Sequence, residues 1–383
     1  MTRLIRSTNN ANINLTPNGT GYVNISSDFT ALNKVSRNII IGGDFSQNPW
    51  QRGTTFAAAA TGSYSADRWM ISYVTSAVVT MSQQTDAPTV AQAAIYSANC
   101  LQCAVTTLDS SIATGDFFSI SQRIEGYNFT RIAQRTFTLS FWVKAVKTGI
   151  YCVAFTNSGS DRSYVAEYTI NSTATWEFKT VTVTASPSAG TWDYTSGIGI
   201  RVRFCLAGGA TFQTTANAWQ TGDFHCTANQ VNGLDSTSNT FRLALVQIEG
   251  GRVATPFEVS HVSTVLRDCQ RYYFKTFAQG TAPAQSAGTT GCLSYRVTTT
   301  GVSPSGQKLD FPATMRTTPS TITTFSTSAA SADWYNSTLS SASGTPTTTA
   351  AGDRGLYVLN PQVAGDSGLG NQIGIHVTCD AEL

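Results

Sequence analysis

Six carboxylates, Asp44, Asp67, Asp116, Glu125, Glu249 and Glu258, are the residues of this chain best able to do acid–base chemistry. Glycoside hydrolysis needs two such groups some ~5 to 9 Å apart. Asp67-Arg68, and Glu125 close to Arg123, read instead as charge-paired loop residues. The sequence contains no Gly-x-Ser-x-Gly elbow, Walker loop or His-Glu-x-x-His pair. Catalysis is therefore not expected. Of the eight cysteines, only Cys100 and Cys103 are closely spaced. On a strand, positions i and i+3 point to opposite faces, so this pair is poorly placed to share a metal. The cysteines are expected to be structural thiols or to form a few disulfides. His225, His261 and His376 are too scattered for a metal centre. No cofactor is expected. Calcium enters only through the oxygens of Asp44 and Glu249, since a D-x-D-x-D-G loop is missing.

Aromatic faces offer a second chemistry, because they cover the apolar C–H patches of sugars. Trp192 and Tyr194 sit in a Gly/Ser-rich loop after Pro187, and Trp219 lies in another polar loop. Trp142 alternates with Phe137, Leu139, Phe141 and Val143, so it faces away from their row. Those four, Trp142, Trp192, Tyr194 and Trp219, are the carbohydrate-binding candidates. Trp50 and Trp69 are expected to plug the ends of a sandwich, and Trp176 and Trp334 to be structural.

The elements that must position these rings are strands. Ten or so short alternating runs between residues 38 and 260, punctuated by Gly, Asn, Ser and Pro, predict a jelly-roll β-sandwich. Residues 261–383 predict a smaller C-terminal β-sandwich, entered through a helix candidate within Val262–Phe277, capped by Ser260 or Ser263, that runs into Tyr272-Tyr273-Phe274, which alternates better as a strand. Ser337–Gly352 reads as a surface loop. Residues 1–37 form a distinct unit, with Ile13–Leu15 and Tyr22–Ile25 flanking a Pro-Asn-Gly turn. A lone hairpin is marginal in water, so this segment is expected to act as a shaft completed by assembly. The fold class is all-β.

Charged residues make up 12% of the 383, against a usual quarter, and the formal net charge is +2. That balance predicts no nucleic-acid partner. Hydrophobic residues at 41% supply enough apolar surface for real cores. The first fifteen residues lack an apolar signal region, and no run is long enough for a membrane helix. An untargeted but rugged β protein suggests a virion component, made in a host cytoplasm and released by lysis.

Several segments carry a resemblance. They are Asn38 with Gly43-Asp44-Phe45, Trp50-Gln51-Arg52-Gly53-Thr54, Ala66-Asp67-Arg68-Trp69 and Gln247-Ile248-Glu249, then Ala254-Thr255-Pro256-Phe257-Glu258, Cys269-Gln270-Arg271-Tyr272-Tyr273, Phe311–Pro319 and Asp380–Leu383. In this order they resemble bacteriophage tail-fibre and related virion proteins, and Leu15–Val23 looks like a turn unit of a fibre shaft. The resemblance implies a homotrimeric tail- or head-fibre subunit, with a jelly roll similar to carbohydrate-binding modules. It further implies attachment to other virion proteins through residues 1–37 and binding to a bacterial surface glycan. It supplies no binding residues.

Overall fold

The computed structural model describes residues 37–298, 305–360 and 368–383; the hairpin expected at residues 13–25 lies outside them. Two antiparallel sheets form the larger sandwich. One runs β1 (Thr55–Phe56), β3 (Val78–Gln84), β4 (Cys100–Thr107), β12 (Thr240–Gly250), β6 (Phe137–Ala145) and β9 (Glu177–Val183). The other runs β11 (Trp219–Thr221), β8 (Arg162–Ile170), β7 (Gly149–Asn157), β10 (Ile198–Gly208), β5 (Phe117–Glu125) and β2 (Trp69–Val74). Period-two alternation explains the assembly. Phe137, Leu139, Phe141 and Val143 of β6 are fully buried and meet Phe155, Val202 and Phe204 of the facing sheet in one core. Each such side chain contributes roughly 1.5–3 kcal/mol on burial.

The stretch from Asn38 to Trp69 closes one end of this sandwich. Gly42 has φ 64°, and a Cβ on Gly43 would lie 2.4 Å from the Val246 carbonyl oxygen, so both glycines are required. Phe45, Trp50 and Arg68 also hold left-handed backbone, at φ 60°, 46° and 72°. Non-glycine residues pay for that conformation, and surrounding contacts must hold it. Trp50 and Trp69 are buried against Phe45 and act as plugs, as expected.

Beyond residue 260, α3 (Val262–Gln270) leads into β13 (Tyr273–Lys275). Its cap is His261, whose Nδ1 accepts from the Ser263 N–H at 3.3 Å, rather than Ser260 or Ser263. A long strand, β21 (Gln372–Asp380), pairs with β13, β14 (Leu293–Arg296), β16 (Thr321–Ser326) and β17 (Tyr335–Asn336). A smaller sheet combines β15 (Ser305–Asp310), β20 (Gly355–Asn360) and β19 (Thr347–Thr349). Leu309, Leu356 and Val358 meet Ile373, Ile375 and Val377 around the buried Trp334. The Ser337–Gly352 stretch is more ordered than a plain loop. It supplies β18 (Ser341–Ala342) and the edge strand β19, because its threonines suit a half-exposed pleat.

Candidate functional site

The six carboxylates are all engaged in holding the fold. Asp67 accepts from the Gln51 N–H at 2.7 Å and from Gln51 Nε2 at 3.0 Å, and lies 3.6 Å from Arg52. Burial still pushes its carboxyl up, against the pull of Arg52. The expected Asp67–Arg68 pair does not form: Arg68 binds Glu382 and stacks over Tyr272 at 3.5 Å. Glu125 likewise ignores Arg123 and takes Arg271 Nη2 at 2.6 Å, Arg271 Nε at 2.9 Å and the Tyr272 hydroxyl. Neighbours in sequence turn apart here, and the partners arrive from far along the chain. Asp44 accepts from the Gln47 N–H, Asp116 from the Ala113 N–H and Glu258 from the Asn38 N–H. Both oxygens of Glu249 are held by Thr255. Asp44 and Glu249 are thus each occupied by their own loops.

These contacts bring five of the segments that carry the fibre-like resemblance, those around Trp50, Ala66, Cys269, Phe311 and Asp380, to one seam. Arg52 reaches Asp380 at 2.9 Å and Glu382 at 3.3 Å, Gln51 reaches the Tyr273 carbonyl at 3.0 Å, and Arg316 reaches the Ala381 carbonyl at 2.8 Å. The seam ties the larger sandwich to the β21 sheet.

Trp142 is the candidate whose surroundings differ most from expectation. It faces away from the β6 core row, and that outer face is partly covered, leaving the ring half-buried. Cys100, Trp176, Ala244 and Leu245 form a second apolar layer there, and Ala87, Ile95 and Phe257 pack on it with Trp142. The covering segment includes a short helix, α1 (Val90–Ala93), which the sequence pattern did not signal. Phe178, opposite Trp142 on β9, stays exposed with its ring 5.5 Å away.

The other three candidates come together. Phe129, at the end of the one-turn helix α2 (Gly126–Phe129), is fully buried. Trp192 stacks on it at 5.2 Å and 12°, and Tyr194 stacks on it at 5.9 Å and 13°. Trp219 meets Trp192 edge-on at 5.7 Å and leans on Tyr164 at 5.6 Å. Both indole N–H groups are used internally: Trp192 donates to the Ala189 carbonyl and Trp219 to the Thr184 carbonyl, each at 3.0 Å. The rings are therefore fixed in orientation and offer only faces and edges outward. Tyr194 is 39% exposed, while Trp192 and Trp219 are half-buried. Thr191, Asp193, Asn217 and Gln220 flank the rings with polar groups. Phe129 and Tyr164 escaped the sequence reading, and neither lies within 20 residues of the rings it supports.

The eight cysteines are free thiols, and seven are buried. Cys100 and Cys103 do face opposite ways, into the outer layer and the main core respectively. Burial pushes the Cys100 thiol up to about 12. Among the described residues, no group of three or more His, Cys, Asp or Glu side chains is arranged to hold a metal.

No protein-family model and no curated protein matches this chain. Solved structures similar to it include TmCBM61 in complex with β-1,4-galactotriose, at 10% identity over 56% of this chain and 100% of that one, with a TM-score of 0.30. The family 11 carbohydrate-binding module of a Clostridium thermocellum cellulosomal cellulase shares 12% identity over 53% and 98%, with a TM-score of 0.28. A Bacteroides thetaiotaomicron protein described as a putative sugar binding protein shares 11% over 56% and 100%, at 0.32. With scores this low, the all-β sandwich rests on the strand pairing described above.

Proposed function

We propose that this chain is a non-catalytic glycan-binding protein, with its platform at Trp192, Tyr194 and Trp219. The observation that carries the reading is the stacking of Trp192 and Tyr194, from one loop, on Phe129, with Trp219 of β11 edge-on to Trp192. Rings locked by packing can stack on a sugar without paying to be ordered. Trp142, half-buried beside Ala87, Ile95 and Phe257, lies apart from these rings and serves as the comparison residue. The setting follows the resemblance: a homotrimeric phage fibre, anchored by residues 1–37, with residues 38–260 binding and 261–383 at the tip. Several copies would turn weak single-site binding into firm attachment.

The test is glycan-array binding of the wild type, Tyr194→Ala and Trp142→Ala. Loss in Tyr194→Ala with retention in Trp142→Ala supports the platform. Silence of the wild type on the array and on bacterial cells retires glycan binding and leaves a decoration protein, which the inward-bonded indole N–H groups would also suit. Sedimentation of the chain with and without residues 1–37 tests the shaft; equal assembly of the two sinks it.

A further inference from the structure

The outer face of the second sheet carries cations in excess. Arg201 on β10 stands directly opposite Arg123 on β5, and Arg203 shares that face two residues on. Ile200, Val202 and Phe204 between them belong to the core, which turns the arginines outward. Like charges directly opposite are destabilising. Arg201 is held only by neutral oxygens, the carbonyls of Asn157 and Ser158 and the hydroxyl of Ser160. Those three bonds leave two of its five guanidinium N–H donors free. Arg123 donates once, to the main-chain oxygen of Leu383. Among the described residues neither forms an ion pair with Asp or Glu. Asp223 is the one carboxylate of the group, 2.8 Å from Arg203 and 3.3 Å from His225 Nε2. His225 Nδ1 is buried with no partner, so one polar atom is unsatisfied in either tautomer. Burial, then the Arg203 and Arg123 charges, bring Arg201 down to about 10.

We propose that Arg123, Arg201 and Arg203 form an anion subsite for the carboxylate, sulfate or phosphate substituent of an acidic glycan. The inference rests on the glycan-binding reading and adds a charge class to it. One loop joins the two places: Asn157 Nδ2 and Ser158 Oγ both donate to the Thr191 carbonyl at 2.8 Å, next to Trp192. A sugar chain seated on the rings thus has the free Arg201 donors one loop away. Guanidinium is suited to planar oxyanions, which it binds through paired N–H groups.

The experiment is calorimetric titration of the full chain with polygalacturonate, dextran sulfate and neutral dextran. Polyanion binding is expected to exceed dextran binding and to weaken as salt rises. In Arg201→Gln the polyanion affinity falls about tenfold, the worth of one charge-assisted contact. Arg201→Lys recovers part of it, and melting temperatures check that both variants fold. Comparison of polygalacturonate with dextran sulfate separates carboxylate from sulfate recognition. Polyanion binding no tighter than dextran binding, or unchanged in folded Arg201→Gln, overturns the subsite. Loss of all binding in Tyr194→Ala alone, with Arg201→Gln unaffected, overturns it while leaving the platform standing.

Discussion

Two groups of arginines are partly or wholly taken from water in this protein, and they are treated in opposite ways. At the seam, Arg52, Arg68 and Arg271 meet Asp67, Glu125, Asp380 and Glu382, so these three guanidiniums each have a carboxylate, while Arg316 bonds to main-chain carbonyls. Arg52 and Arg68 also lie over the rings of Tyr273 and Tyr272, at 3.7 and 3.5 Å. On the outer face of the second sheet, only Arg203 of the three reaches a side-chain carboxylate, that of Asp223, while Arg123 and Arg201 bond to main-chain and hydroxyl oxygens. Desolvating a charge is expensive unless it is paired. The seam therefore has the composition of a permanent joint, and the outer face that of a site awaiting an oxyanion.

The largest effect separating the two is on stability. Arg68→Ala leaves Glu382 with only its 3.3 Å contact to Arg52, and removes a pair in which both side chains are almost fully buried. Such a loss costs about 3–5 kcal/mol, read as a drop in urea midpoint at unchanged slope. Arg201→Ala removes bonds to neutral oxygens but also relieves repulsion, so its cost stays below about 1 kcal/mol. Equal losses in the two variants would dissolve the distinction.

A mid-sized effect concerns pH at the outer face. Burial, with Arg203 adding to it and Asp223 opposing, brings His225 down from 6.5 to about 4. The unfolded chain therefore binds more protons between those values, and stability falls as pH drops from 6.5 to 4. The ceiling is roughly 3 kcal/mol from this one group. His225→Phe should flatten that part of the denaturation profile, measured by urea unfolding at stepped pH. An unaltered profile would place the titrating group elsewhere.

Local rules made the fold readable, and distance hid the site. The alternation of Phe137 to Val143 needs only neighbours to be seen, and it orients β6 correctly. Trp192, Tyr194 and Trp219 stood out because large rings are unusual in polar loops. Their support could not be read, since Phe129 and Tyr164 reach them only once the sheets have formed. The cover over Trp142 comes from Ala87, Ile95 and Phe257, which no pattern along β6 could announce. Asp67 and Arg68 looked like a pair because they are adjacent. Arg68's partner Glu382 is 314 residues away. The Arg123–Arg201 opposition depends on a strand register that sequence alone leaves open.

The smallest effect is the sharpest measure of the contrast. A double-mutant cycle over Arg123→Gln and Arg201→Gln isolates the interaction between two residues that face each other across the strands. Its coupling should be repulsive, about 0.2–1 kcal/mol in low salt, and should shrink as salt is added. The matching cycle over Arg68→Gln and Glu382→Gln should be attractive and much less sensitive to salt, because that pair is buried. A polyanionic glycan present during unfolding should stabilise the wild type and leave the Arg123→Gln/Arg201→Gln protein unchanged, since only a folded oxyanion site gains from ligand. An attractive coupling between Arg123 and Arg201 would mean that the outer face is already balanced by groups of its own, and that the seam and the face differ only in degree.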